Sequence, residues 1–146
     1  LFVFERISEG VESIREEKND PIEEMYEIKN FACQHLKNEK SSPQFQLQKY
    51  YPRIYNTIKS KQRKLLEDQI QQNLNRGIKK GLYRPDLPVE FTSRIYFIGM
   101  LGIKDRDLFP ESDFSTGELI EKHLEYHLRA IVTEKGLKTL NTILNQ

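Results

Sequence analysis

Apolar positions recur along this chain at three- and four-residue spacing and nowhere in sustained alternation, which predicts helices throughout and an all-α, multi-helix bundle. The run from Leu66 to Ile103 organises the rest. Leu66, Ile70, Leu74 and Ile78 form a narrow stripe between Gln, Asn and Lys residues, as on one face of a helix. Gly81 lies just past Lys79 and Lys80, which predicts a left-handed C-terminal cap with cations over the negative end of the helix dipole. Tyr83-Arg84-Pro85-Asp86-Leu87-Pro88 cannot propagate a helix, because each proline lacks an amide donor and biases its predecessor away from helical geometry. A new helix over about 88–102 comes next. Phe91, Ile95 and Ile98 occupy one of its faces and Tyr96, Phe97, Met100 and Leu101 the others, so it needs burial on more than one side.

Elsewhere the same logic places five more helices and extends the one that carries Leu66. Phe4, Ile7, Val11 and Ile14 predict an amphipathic helix within residues 1–17. Asp20 is placed as an N-cap, with Pro21 at the first helical position and Glu23 and Glu24 in the electropositive first turn of a helix reaching about Asn38. Ser42-Pro43 starts a short helix carrying Phe45 and Leu47. From Arg53 the chain reads helical to Lys80, with Pro52 either starting that helix or kinking a longer one, and with a break expected near the basic patch Lys59, Lys61, Arg63 and Lys64. Ser115 and Glu118 have capping-box spacing, with Phe114 and Leu119 placed as the hydrophobic staple of a helix over about 116–131. That helix carries Ile120, Leu124, Leu128 and Ile131 on one face and Leu119, His123, Tyr126 and Ala130 on the next. Thr133 caps a last helix with Leu137, Leu140 and Leu144. No repeat or linker interrupts the pattern, so residues 1–146 read as one domain.

Composition narrows the function. A chain of 146 residues buries about 70% of the surface its unfolded form exposes. A net charge of +1 argues against a dedicated nucleic-acid binder, which gathers cations on one face. The longest apolar run, Ile95 to Ile103, is less than half of the roughly 20 residues a membrane-spanning helix requires. A single cysteine, Cys33, excludes an internal disulfide and a multi-cysteine zinc site, and makes a reducing cytoplasm the default compartment.

His123 and His127 have the spacing that brings two imidazoles to one metal, but their surroundings do not complete a site. Glu125 sits two residues after the first histidine, where it points away, and the residues three before each histidine are Ile120 and Leu124. No nucleophile elbow, phosphate-cradling glycine loop or Cys–His pair with an orienting group is present, and the acids fall on positions read as solvent-facing. The residues therefore imply no enzyme, metal or cofactor. A second basic cluster, Arg76, Lys79, Lys80 and Arg84, also reads as a solvated face. The aromatic residues say more. Tyr26, Phe31, Phe45, Tyr50, Tyr51, Tyr55, Phe91 and Tyr96 lie on segments expected to surround the middle of the bundle, and several phenols converging there imply either an apolar cavity with polar handles or a filled core.

One segment carries a family likeness. Asn73, Gly77-Ile78, Gly81-Leu82-Tyr83-Arg84 and Asp86-Leu87, with an apolar helix directly after them, resemble the middle of the C-terminal domain of TetR/AcrR-type transcriptional regulators. The likeness continues through Leu108-Phe109-Pro110, Glu125-Tyr126-His127 and Thr133-x-Lys135-Gly136-Leu137. It implies a regulatory domain that senses a small apolar effector, with residues 1–17 as the helix connecting it to an N-terminal helix-turn-helix that this chain does not contain. DNA would be contacted only through that missing module. The effector would meet Tyr26, Phe31, Tyr51, Tyr55, Phe91 and Ile95. The helices over 88–102 and 116–131 would pair with their symmetry mates in a homodimeric four-helix bundle, through Phe97, Ile98, Leu101, Leu119, His123, Leu124, His127 and Leu128. The competing expectation is a helical interaction or scaffold module without a ligand.

Overall fold

The computed structural model describes residues 9–15, 20–37 and 49–146. All regular structure among them is α-helical: α1 (9–15), α2 (Pro21–Lys37), α3 (Pro52–Lys79), α4 (Val89–Gly102), α5 (Thr116–Ile131) and α6 (Glu134–Leu144). The expected start of the first helix and the short helix at Phe45 and Leu47 lie outside the described residues. None of the described helices is long and apolar enough to cross a membrane.

The helix boundaries arise from local chemistry. Asp20 Oδ1 accepts from the amides of Ile22 (2.8 Å) and Glu23 (3.1 Å), satisfying two of the donors that open α2. Pro52 takes the first position of α3, where its missing amide costs nothing. Ser115 Oγ accepts from Glu118 at 3.2 Å, and Thr133 Oγ1 accepts from Gly136 at 3.2 Å. α3 runs without the break expected near Lys59. The patch contains neither glycine nor proline, its residues are good helix formers, and Glu67 one turn on lies 3.8 Å from Arg63, offsetting the local positive charge.

The turn that ends α3 ties the bundle together. Gly81 takes φ +75°, the left-handed cap expected of it, and the Gly77 carbonyl accepts from the amides of Leu82 (2.9 Å) and Tyr83 (3.1 Å). The chain then crosses the junction between α5 and α6. Arg84 donates to the Ile131 carbonyl at 2.8 Å and Thr133 to the Leu82 carbonyl at 2.9 Å, giving an isolated antiparallel bridge between Tyr83 and Val132. The Tyr83 ring is fully buried against Gly77, where a Cβ would overlap it, and its hydroxyl donates to Asn73 Oδ1 at 2.7 Å. Asn73, Gly77 and Tyr83, spaced over eleven residues of sequence, therefore form one packing unit.

α2 packs on α3, α5 and α6, α3 on α4, and α4 on α5. The core joins Ile22, Met25 and Tyr26 of α2 to Ile70 and Leu74 of α3, Leu82, Tyr83 and Leu87 of the turn, Leu124, Leu128 and Ile131 of α5, and Leu140 of α6. Each fully buried leucine there contributes about 1.5–3 kcal/mol relative to exposure. The broad apolar surface of α5 is thus used inside the protomer. Leu119, Leu124, His127 and Leu128, expected to face a second copy, are covered by their own chain. α4 divides differently. Ser93, Tyr96 and Met100 turn inward, while Phe91, Ile95, Ile98 and Leu101, spaced as one helical stripe, are half or more exposed.

Candidate functional site

A cavity of about 140 Å³, partly open to solvent, lies between α1, α2, α3, α4 and α5. Helical spacing explains its walls. From α2 come Met25, Ile28, Lys29, Ala32 and Cys33, with Glu24 beside them; from α3 come Leu66, Gln69, Ile70 and Asn73, each set on one face of its helix. α4 contributes Tyr96 and Met100, and the turn beyond it Ile103 and Lys104. Ile120 and His123 of α5 and Arg15 of α1 complete the lining. The walls are mostly apolar with a few polar groups, which is the usual constitution of a small-molecule site.

Beside the cavity lies a buried ionic cluster. The Glu24 side chain is 1% exposed. Its Oε2 accepts from Asn73 Nδ2 at 2.6 Å and from Arg76 Nη2 at 2.5 Å, and its Oε1 lies 3.4 Å from Arg15 Nε. Asn73 Nδ2 also donates to the Pro21 carbonyl at 2.9 Å. Arg15 bonds Gln72 of α3 as well. One carboxylate therefore joins α1, α2 and α3, and through Asn73 the Tyr83 hydroxyl. Glu24 departs from the reading of the acids as solvent-facing: at helical spacing from Ile28 and Pro21 it shares the inward side of α2, and Arg76, read as part of a solvated basic face, turns in to meet it.

On the α4–α5 side Tyr96 sits between two imidazoles. Its ring stacks on His123 at 4.8 Å and 21°, and meets His127 at 4.3 Å and 50°. Burial lowers the pKa of His123, and burial together with its neighbour His123 pushes His127 down to about 3, so both rings are neutral near pH 7. His127 Nε2 is buried without a hydrogen-bond partner. Burial likewise raises the phenols of Tyr96 and Tyr83, and raises Tyr26 to about 12 with help from Glu121 and Glu125. Among the described residues no cluster of His, Cys, Asp or Glu could hold a metal ion.

None of the six residues expected to meet an effector lines this cavity. Tyr26 is buried on the other side of α2, beside Lys29 and Glu121, with its hydroxyl unpaired. Phe31 is half-buried against Gly10 of α1. Tyr55 is half-buried with the Lys59 ammonium 5.1 Å from its ring centre, and Tyr51, Phe91 and Ile95 are exposed. Of the residues assigned to a dimer, Ile98 and Leu101 are exposed, Phe97 is half-buried and His123 faces the cavity. Tyr96, one of the aromatic set, does line the cavity, and aliphatic residues and two methionines make up much of the rest. Leu66 and Ile70, half of the α3 stripe, both reach the cavity. No family model matches the chain, and no curated protein or solved structure matches it either.

Proposed function

We propose that this chain is the effector-binding and dimerisation domain of a TetR-like bacterial transcriptional regulator and has no enzymatic role. The observation that carries this reading is the cavity whose wall includes Arg15 of α1, the segment that would connect to a DNA-binding module. A ligand between α2, α3 and α4 would bear on the Arg15–Glu24–Arg76 cluster, and a small displacement there would reorient α1. DNA would be released because two helix-turn-helix modules must sit about one helical turn, ~34 Å, apart to occupy adjacent major grooves. The homodimer would form through the exposed stripe Phe91, Ile95, Ile98 and Leu101 of α4, an apolar surface that would be buried against its own copy across a twofold axis. In the four-helix bundle expected of the family, α5 would contribute its outward residues, Tyr126 among them, and not its core leucines.

Native mass spectrometry of the purified chain, then denaturation of the same sample, tests both halves. A dimer that releases a small molecule supports the proposal. A monomer at micromolar concentration that stays unshifted in thermal melts against a metabolite panel refutes it. The exposed α4 stripe also favours a second reading, a ligand-free helical interaction module. An empty chain captured as a dimer, with no melting shift from any small molecule, selects that reading.

A further inference from the structure

We propose that the cavity takes a single-ring aromatic carboxylate, with the ring among the aliphatic walls and the carboxylate at the mouth beside Lys104. The inference rests on the reading of the cavity as a ligand site, and adds the ligand's size and charge.

Size comes first. A volume of about 140 Å³ is close to that of apolar protein cavities of about 150 Å³ that accept benzene. One ring with a short substituent fills such a space, and fused rings or a long acyl chain exceed it. Ile28, Leu66, Ile70 and Met100 supply apolar contact, and Tyr96 and His123, stacked on each other, border the same space.

Charge comes second. Two of the three cations in the wall are already neutralised: Arg15 by Glu24 and Glu12, and Lys29 by Glu121. The Lys104 ammonium has no acidic partner among the described residues, and Lys104 is the one exposed residue among those lining the cavity, so it marks the mouth. The single acid in the wall, Glu24, is held by Arg15 and Arg76 and offers no free counter-charge to a cation. An anionic group at the mouth keeps part of its hydration and meets Lys104, which avoids the cost of burying a charge.

Four probes of graded size and charge test this by isothermal titration calorimetry: benzoate, toluene, benzylammonium and octanoate. Benzoate is expected to bind most tightly. The surface variant Lys104→Gln is expected to lower the ratio of benzoate to toluene affinity about fivefold, the effect of losing one exposed ion pair. Ala32→Phe, which fills the cavity, is expected to abolish binding of benzoate, with circular dichroism confirming that the variant is folded. If toluene binds but benzoate gains nothing from Lys104, or benzylammonium or octanoate binds as well as benzoate, the inference falls while the cavity remains a ligand site. If none of the four binds, the inference and the ligand-sensing reading fall together.

Discussion

His127 gives the fold an acid sensitivity whose size is set by its surroundings. The imidazole is 7% exposed, lies against Tyr96, has its Nε2 unpaired, and is pushed down to about 3 by burial and by His123. In the unfolded chain it titrates near 6.5. Below pH 6.5 the unfolded state therefore binds a proton that the folded state refuses, and stability falls as pH falls, continuing until about pH 3. The slope is about 1.4 kcal/mol per pH unit. Between pH 7.5 and 4.5 this one group removes roughly 2–3 kcal/mol, a large share of the 5–15 kcal/mol typical of a domain. His127→Phe keeps a ring of similar shape against Tyr96 and removes both the titration and an unpaired buried nitrogen. Urea unfolding of both proteins across that pH range isolates the term, since carboxylates that titrate in both cancel in the difference. The variant should match or exceed the native chain at pH 7.5 and lead it by roughly 2–3 kcal/mol at pH 4.5. A difference that stays flat with pH would show that His127 takes up its proton in the folded state, and would refute the argument.

Three further perturbations test the packing. Gly77→Ala places a methyl group in the Tyr83 ring and should cost about 2–3 kcal/mol in urea unfolding, whereas a neutral result would mean that the turn after α3 can shift. Glu24→Gln leaves Arg15 and Arg76 without their carboxylate and should destabilise by about 2–4 kcal/mol, reduced from the fully buried case because Arg76 is 33% exposed; a melting temperature unchanged from the native chain would show that the cluster is only a surface contact. Leu128→Ala should cost about 3 kcal/mol in the protomer core, while Ile98→Ser should change protomer stability by less than about 0.5 kcal/mol and shift the light-scattering mass of the proposed α4 homodimer to that of a monomer. A dimer unaffected by Ile98→Ser would move the interface away from α4.

The sequence alone determined the helical class and most helix ends, because those depend on neighbours within four residues. Asp20, Ser115 and Thr133 cap α2, α5 and α6, Pro52 opens α3, and Gly81 closes it through a backbone conformation that other residues resist. Even the Asn73–Gly77–Tyr83 spacing is visible, although only folding shows that the tyrosine lies on the glycine and donates to the asparagine. Tertiary structure decided which side of each wide apolar surface the bundle uses. α4 and α5 are both apolar on two sides, yet Leu124 and Leu128 are covered from within while Phe91, Ile95, Ile98 and Leu101 stay exposed. Periodicity places residues on a common face without saying what that face will meet, since the partner comes from a helix far away in sequence. The same reason hid the cavity: a void is a property of five helices packed together, and the inward turn of Glu24 depends on Arg15, Asn73 and Arg76 arriving from two other helices.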